Sequence, residues 1–118
     1  MGIHKNVNKV FTFDRADNAK AFKVENVPGG KVKLTAVFDL IPDTEVESII
    51  PLGDMLGILF LKNDEVINYS VQSLRIVCKD FGGNQIRLTF FVPSVKDYIS
   101  VRLATEDFQA AIVALTAR

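Results

Sequence analysis

At 118 residues, 48% of them apolar and 24% charged, the chain has the size and composition of one globular domain. Its single histidine, His4, and single cysteine, Cys78, exclude a disulfide framework and a cysteine-rich zinc site, and they leave little for histidine-based catalysis. The formal net charge is zero, which argues against a protein dedicated to electrostatic binding of nucleic acid.

The first predicted elements are three strands, because the dominant period of the sequence is two. Charged residues flank the apolar residues of the first two strands, and lysines alternate with apolar residues in the third. Pro28-Gly29-Gly30 provides turn residues between the second and third strands and predicts a hairpin. The side chains expected to face the core are Phe11, Phe13, Phe22, Val24, Val32, Leu34, Ala36, Phe38 and Leu40.

The middle of the chain predicts a mixture of helix and strand. Residues 43–47 predict the start of a short helix that ends at Pro51, since a threonine and a glutamate stand at capping-box spacing. Residues 56–61 predict a strand that turns back into another strand over residues 66–71.

Three more strands and a helix complete the chain. Alternation over residues 74–78, 85–92 and 99–103 predicts the strands, and Cys78 falls on the apolar side of the first of them. From Thr105 or Glu106 onwards, apolar residues recur at spacings of three and four, which predicts an amphipathic helix. Its expected apolar side consists of Phe108, Ala111, Ile112 and Leu115.

These elements predict a mainly β (α+β) fold of six to seven antiparallel strands. They would form a small barrel or a strongly bent sheet with the C-terminal helix packed on it. The order of elements resembles the layout of a pleckstrin-homology-like barrel, although Sm-like and other small barrels stay open. We expect residues 1–118 to be one domain with residues 1–6 as a flexible leader. A fold of this kind does not specify a function.

Charge is unevenly distributed along the sequence. Residues 1–33 carry seven basic and three acidic groups, residues 34–66 carry one basic and seven acidic groups, and the remainder carries six basic and four acidic groups. The strands predict a basic face and a separate acidic segment, either of which is a candidate binding surface. The basic candidates are Lys9, Lys20, Lys23, Lys31 and Lys33, and the acidic candidates are Asp39, Asp43, Glu45 and Glu47.

Three functions fit these residues. The first is a non-enzymatic binding or assembly module that associates with itself or another protein, basic face against acidic segment. The second is a small nucleic-acid-binding barrel that uses the five lysines. The phenylalanines disfavour this function, because they are expected to face the core and so cannot stack on bases. The third is a carboxylate-based ligand or metal site around Asp39, Asp43 and Glu47. We expect the first, with no catalytic residue, metal or cofactor, no membrane insertion and a cytoplasmic location.

Overall fold

The computed structural model describes residues 9–14, 16–41, 43–61, 68–71, 74–80 and 85–116. For residues 61, 68–71 and 77–80 it describes the backbone alone. The strands are β1 (Val10–Thr12), β2 (Ala19–Val27), β3 (Lys31–Phe38), β4 (Glu45–Pro51), β5 (Asn68–Val71), β6 (Leu74–Asp80), β7 (Gln85–Val92) and β8 (Asp97–Ala104). The helices are α1 (Leu52–Leu56), which continues into a π-helical turn (Gly57–Leu61), and α2 (Thr105–Thr116).

The strands form two antiparallel meanders. Sheet 1 has the order β1-β2-β3-β4 and sheet 2 has the order β5-β6-β7-β8, so every pairing joins strands that are neighbours in the chain. The β2–β3 hairpin turns at Gly29 and Gly30, whose φ angles of 91° and 70° strain any residue with a Cβ. The hairpin predicted at this glycine pair is confirmed.

One core fills the space between the inner faces of the two sheets. Phe38 of sheet 1 and Phe90 of sheet 2 meet edge to face, with ring centroids 5.8 Å apart. Helix α2 covers one open end of the space between the sheets. There the ring centroid of the buried Phe108 lies 6.0 Å from that of Phe13 and 6.4 Å from that of Phe22. The apolar side predicted for this helix is confirmed, since all four of its residues are buried: Phe108, Ala111, Ile112 and Leu115.

A short backbone contact joins the two sheets at one corner. Asp17, in the connection between β1 and β2, forms an isolated antiparallel bridge with Arg102 of β8. The Asp17 N–H donates to the Arg102 carbonyl at 2.8 Å, and the Arg102 N–H donates back at 3.4 Å. Within the described residues the sheets do not close into a single barrel. The expectation of a barrel, including its pleckstrin-homology-like form, is therefore not confirmed.

Two predicted elements are wrong. Residues 45–50 belong to a strand rather than a helix, because the buried Val46, Ser48 and Ile50 alternate with exposed residues. That period of two prevails over the local capping signal. Residues 57–61 form the π-helical turn rather than a strand, since the buried Met55, Ile58 and Leu59 recur at helical spacing. The described residues thus form eight strands, one or two more than the six to seven expected.

Leu40 was expected in the core and is instead 83% exposed. Strand β3 ends at Phe38, and the Ile41 N–H donates to the Phe38 carbonyl in a tight turn. The turn points Leu40 outward and brings Ile41 against the core. The alternation therefore ends one apolar residue earlier than the sequence pattern indicates.

No helix in the described part of the chain is long and apolar enough to span a membrane.

Candidate functional site

The outer face of sheet 1 carries both signs of charge. The register pairs Glu25 with Lys33 between β2 and β3, and Val37 with Glu45 between β3 and β4. Because residues paired across antiparallel strands lie on one side of the sheet, lysines and glutamates interleave there. We call this surface the lysine–glutamate face; its charged members are Lys23, Glu25, Lys31, Lys33, Glu45 and Glu47.

Lys33 lies at the centre of the lysine–glutamate face. Its Nζ is 3.8 Å from Oε1 of Glu25 and 3.7 Å from Oε2 of Glu47. The Lys33 side chain keeps 26% of its surface exposed, so water still screens both ion pairs. A candidate of the predicted basic face thus contacts a candidate of the predicted acidic segment within one molecule.

The other two candidate lysines lie away from the centre of this face. Lys9 precedes β1, and its Nζ donates to the carbonyl of Ala114 in α2 at 3.1 Å. Its backbone N–H donates to Oδ1 of Asn26 at 2.7 Å, which fixes the start of β1 beside the end of β2. Lys20 is exposed near the opposite end of β2, where Ala19 pairs with Phe38. The five lysines therefore do not form one continuous basic patch.

The remaining acidic candidates lie in the connection from β3 to β4. Asp39 and Asp43 are both exposed and flank the exposed Leu40. We call these three residues the acidic loop. The Asp39 N–H donates to the carbonyl of Asn18 at 2.9 Å, which ties the loop to the connection before β2.

The acidic loop and the β2–β3 turn stand at opposite ends of β3. Eight strand residues separate these ends, which corresponds to about 27 Å. Lys31 is exposed at the turn, and Lys9 lies at the same end because Asn26, its hydrogen-bond partner, pairs with Val32. Asp54 of α1 follows Leu52, whose N–H donates to Gly30 at this end. We call Lys9 and Lys31 the basic end of sheet 1.

A groove of about 670 Å³ opens between β1, the end of β8 and α2. Phe13 and Leu103 form part of its apolar wall, and Asp14 and Asp107 place two carboxylates at its polar side. Its described lining includes neither histidine nor cysteine. Elsewhere in the described residues, no three His, Cys, Asp or Glu side chains converge as a metal site would require. The carboxylate or metal site expected around Asp39, Asp43 and Glu47 stays a prediction.

Two residues singled out from the sequence have no described side chain. His4 precedes the described residues, and Cys78 is described by its backbone alone. The expectation that the Cys78 thiol belongs to the core stays a prediction.

The sequence analysis missed a group of arginines on the outer face of sheet 2. In β6, β7 and β8 the register pairs Arg75 with Thr89, Thr89 with Ser100, and Arg87 with Arg102. The next pair along the strands is Phe91 with Tyr98. We call this surface the arginine face; its members are Arg75, Arg87, Thr89, Phe91, Tyr98, Ser100 and Arg102. The available signal was that each arginine occupies the outward position of an alternating strand.

Comparison with known proteins gives no match: no family model, no curated protein and no solved structure is similar to the chain. Function must therefore be argued from the surfaces themselves.

Proposed function

We propose that the protein is a non-enzymatic assembly module that associates with copies of itself head to tail. The acidic loop of one copy binds the basic end of the next. The observation that carries this proposal is the exposed Leu40 between two aspartates, at the opposite end of β3 from Lys31 and Lys9. An interface between two different surfaces of one protein repeats from copy to copy and yields a ring or a chain.

Leu40 supplies the apolar part of the interface. At 83% exposure it leaves most of its surface in water, although the neighbouring Phe38 and Ile41 pack into the core. Burying a leucine side chain contributes about 1.5–3 kcal/mol relative to leaving it exposed. An apolar side chain within a charged rim is also the usual composition of an interface.

The charges set the direction of association. Among the described residues, Asp39, Asp43 and Glu45 outnumber Lys20 at the acidic end, and Lys9 and Lys31 outnumber Asp54 at the basic end. Two like ends repel each other, whereas unlike ends attract, so charge selects the head-to-tail arrangement. At the centre of the sheet Lys23 and Lys33 balance Glu25 and Glu47, which leaves the two ends as the sites of opposite charge.

Association is tested first by sedimentation velocity of the intact chain in about 50 mM and about 500 mM salt. We expect oligomers at low salt that dissociate at high salt, because salt screens exposed charges. Leu40→Ser should weaken association by about tenfold or more, as expected from the lost burial. The control is Val95→Ser, which removes a 45% exposed apolar residue from the β7–β8 turn and should leave association unchanged.

The direction is tested by charge reversal. The first variant, Asp39→Lys with Asp43→Lys, makes the acidic loop basic, so that both ends of sheet 1 are basic. The second variant, Lys31→Glu, makes the basic end acidic, so that both ends are acidic. Each protein alone should be monomeric, but an equimolar mixture should recover oligomers, because each interface then joins unlike charges. A wild-type protein that is monomeric at both salt concentrations contradicts the proposal. A mixture that stays monomeric rejects the head-to-tail arrangement.

A further inference from the structure

We propose that the arginine face binds single-stranded nucleic acid. This inference does not rest on self-association, since the surface belongs to sheet 2 and uses none of the five lysines considered above. Its support comes from the register of the arginines, from the aromatic pair beside them and from the hydroxyls between them.

The register gathers three guanidinium groups on one side of the sheet. Arg87 and Arg102 are directly opposite each other, and Arg75 lies one row further along the strands, beside Thr89. Like charges that face each other across strands destabilise a sheet, and a bound anion would relieve that repulsion. Successive rows on one side of a sheet are about 7 Å apart, which lets neighbouring rows contact successive backbone phosphates of an extended strand.

The three arginines differ in how far their side chains are exposed. Arg75 is exposed, whereas Arg87 and Arg102 are half-buried, with their Nε atoms below the surface. Both half-buried arginines also interact within the protein. A guanidinium carries five N–H donors in a planar fork, so it can hold a protein contact and a phosphate at once.

An aromatic pair adjoins the arginines. Tyr98 is 54% exposed, and its ring meets that of Phe91 edge to face at 5.2 Å. The Arg75 guanidinium lies 5.7 Å from the centroid of the Tyr98 ring. Unpaired bases stack on exposed aromatic rings and on guanidinium planes, and this contact is open to any base. Charge together with an exposed ring favours nucleic acid over an acidic protein or an anionic lipid.

Hydroxyls lie in the middle of the arginine face, and further charged residues lie around it. The hydroxyls of Thr89 and Ser100 hydrogen-bond to each other at 2.8 Å between the arginine row and the aromatic row. Lys96 is exposed in the β7–β8 turn beyond the aromatic pair. Asp17 lies next to Arg102 across the backbone bridge, and the exposed Asp97 follows Lys96. The register also pairs Asp80 with Gln85, in the row next to Arg87 and Arg102. Arginines therefore face each other at the centre of this surface with carboxylates around them, whereas on sheet 1 glutamates interleave with lysines.

The test measures fluorescence anisotropy of a labelled 12-nucleotide oligo(dT) titrated with the intact chain. We expect binding that weakens with salt, with a slope of log K against log[salt] near −2 for about three phosphate contacts. Arg75→Gln and Arg102→Gln should each reduce the slope by about 0.7. Tyr98→Ser should weaken binding about tenfold, whereas Tyr98→Phe should retain it, because the ring provides the contact.

The matched control is Lys23→Gln, which removes one positive charge from the outer face of sheet 1 at a residue that belongs to neither proposed binding surface. It should leave both oligonucleotide binding and self-association unchanged. Circular dichroism and thermal unfolding confirm that each variant is folded. Three results overturn the inference: no binding at about 50 mM salt, an equal loss with Lys23→Gln, or binding of polyglutamate or phosphatidylserine vesicles at least as tight as that of the oligonucleotide.

Discussion

The outer faces of the two sheets have the same meander topology but opposite arrangements of charge. On sheet 1, Lys33 lies between Glu25 and Glu47, and together with Lys23 it balances their charge at the centre of the face. On sheet 2, Arg87 faces Arg102, with Asp17 beside Arg102 and Asp80 paired with Gln85 in the next row. The comparison teaches that strand register, rather than the charge of a sequence window, decides where a charged surface forms.

Charge counts along the chain instead predicted a basic face from the lysines of the first three strands. The basic first third of the sequence forms a mixed face, because β4 contributes glutamates that lie beside its lysines. Residues 67–118 have a small positive excess, yet they align three arginines across β6, β7 and β8. A surface composed of several strands thus draws its charges from distant parts of the sequence.

Both sheets pack on one core, so a substitution in that core should destabilise them together, and it should have the largest effect on the free energy of unfolding. Phe108→Ala removes a fully buried ring that contacts Phe13 and Phe22 from α2. We expect the free energy of unfolding to fall by about 3–5 kcal/mol, in a single urea transition. Val113→Ala, at a 49% exposed position of the same helix, should change it by less than about 0.5 kcal/mol. Two separate transitions would show that the sheets unfold independently.

A pair of identical substitutions sharpens the contrast between the sheets. Thr35 on sheet 1 is 3% exposed, and its Oγ1 has no hydrogen-bond partner among the described residues. Thr89 on sheet 2 shares a hydrogen bond with Ser100. Thr35→Val should therefore stabilise the protein by about 1 kcal/mol, whereas Thr89→Val should destabilise it by a similar amount. Thermal and urea unfolding measure both, and equal signs would contradict the assignment of these two hydroxyls.

The smallest expected effect concerns the charge balance of sheet 1. Lys33→Gln leaves Glu25 and Glu47 without their shared partner, and we expect a loss of less than about 1 kcal/mol, because the ion pairs are partly exposed. The loss should shrink in about 1 M salt, which screens exposed charges. Lys23→Gln is the control, since no carboxylate among the described residues lies within ion-pair distance of Lys23. A loss that is equal in both variants would rule out a specific role for Lys33.

Much of the fold follows from the sequence, because strands and helix α2 have clear periods. The strand at 85–92 and the buried side of α2 are as predicted. The errors arise where local signals conflict with the period, as at β4, or where alternation continues past the end of a strand, as at Leu40. At such positions tertiary packing decides the structure, and a short stretch of sequence carries no information about that packing.

The candidate surfaces were less accessible to sequence reasoning. The sequence identified individual lysines and carboxylates as candidates. The contact between Lys33 and Glu47, however, depends on the register of β3 and β4, which cannot be derived from the sequence pattern. In the sequence, Arg75, Arg87 and Arg102 each alternate with the apolar residues of a strand. Their meeting depends on pairing among three strands, and only the structure provides that pairing.

The corner at which Asp17 meets Arg102 has a consequence for the order of folding. Every pairing within a sheet joins neighbouring strands, so each hairpin closes a short loop. Contacts that join sheet 1 to β8 and α2 are remote in sequence: Asn18, next to this corner, donates to the carbonyl of Ser100 across 82 positions, and Lys9, at the other end of sheet 1, donates to the carbonyl of Ala114 across 105. During synthesis the first meander can pair long before β8 and α2 exist, and its apolar side then has nothing to cover it. The fold therefore combines fast local steps with a late long-range closure, and the interval between them is when the chain is most exposed to aggregation.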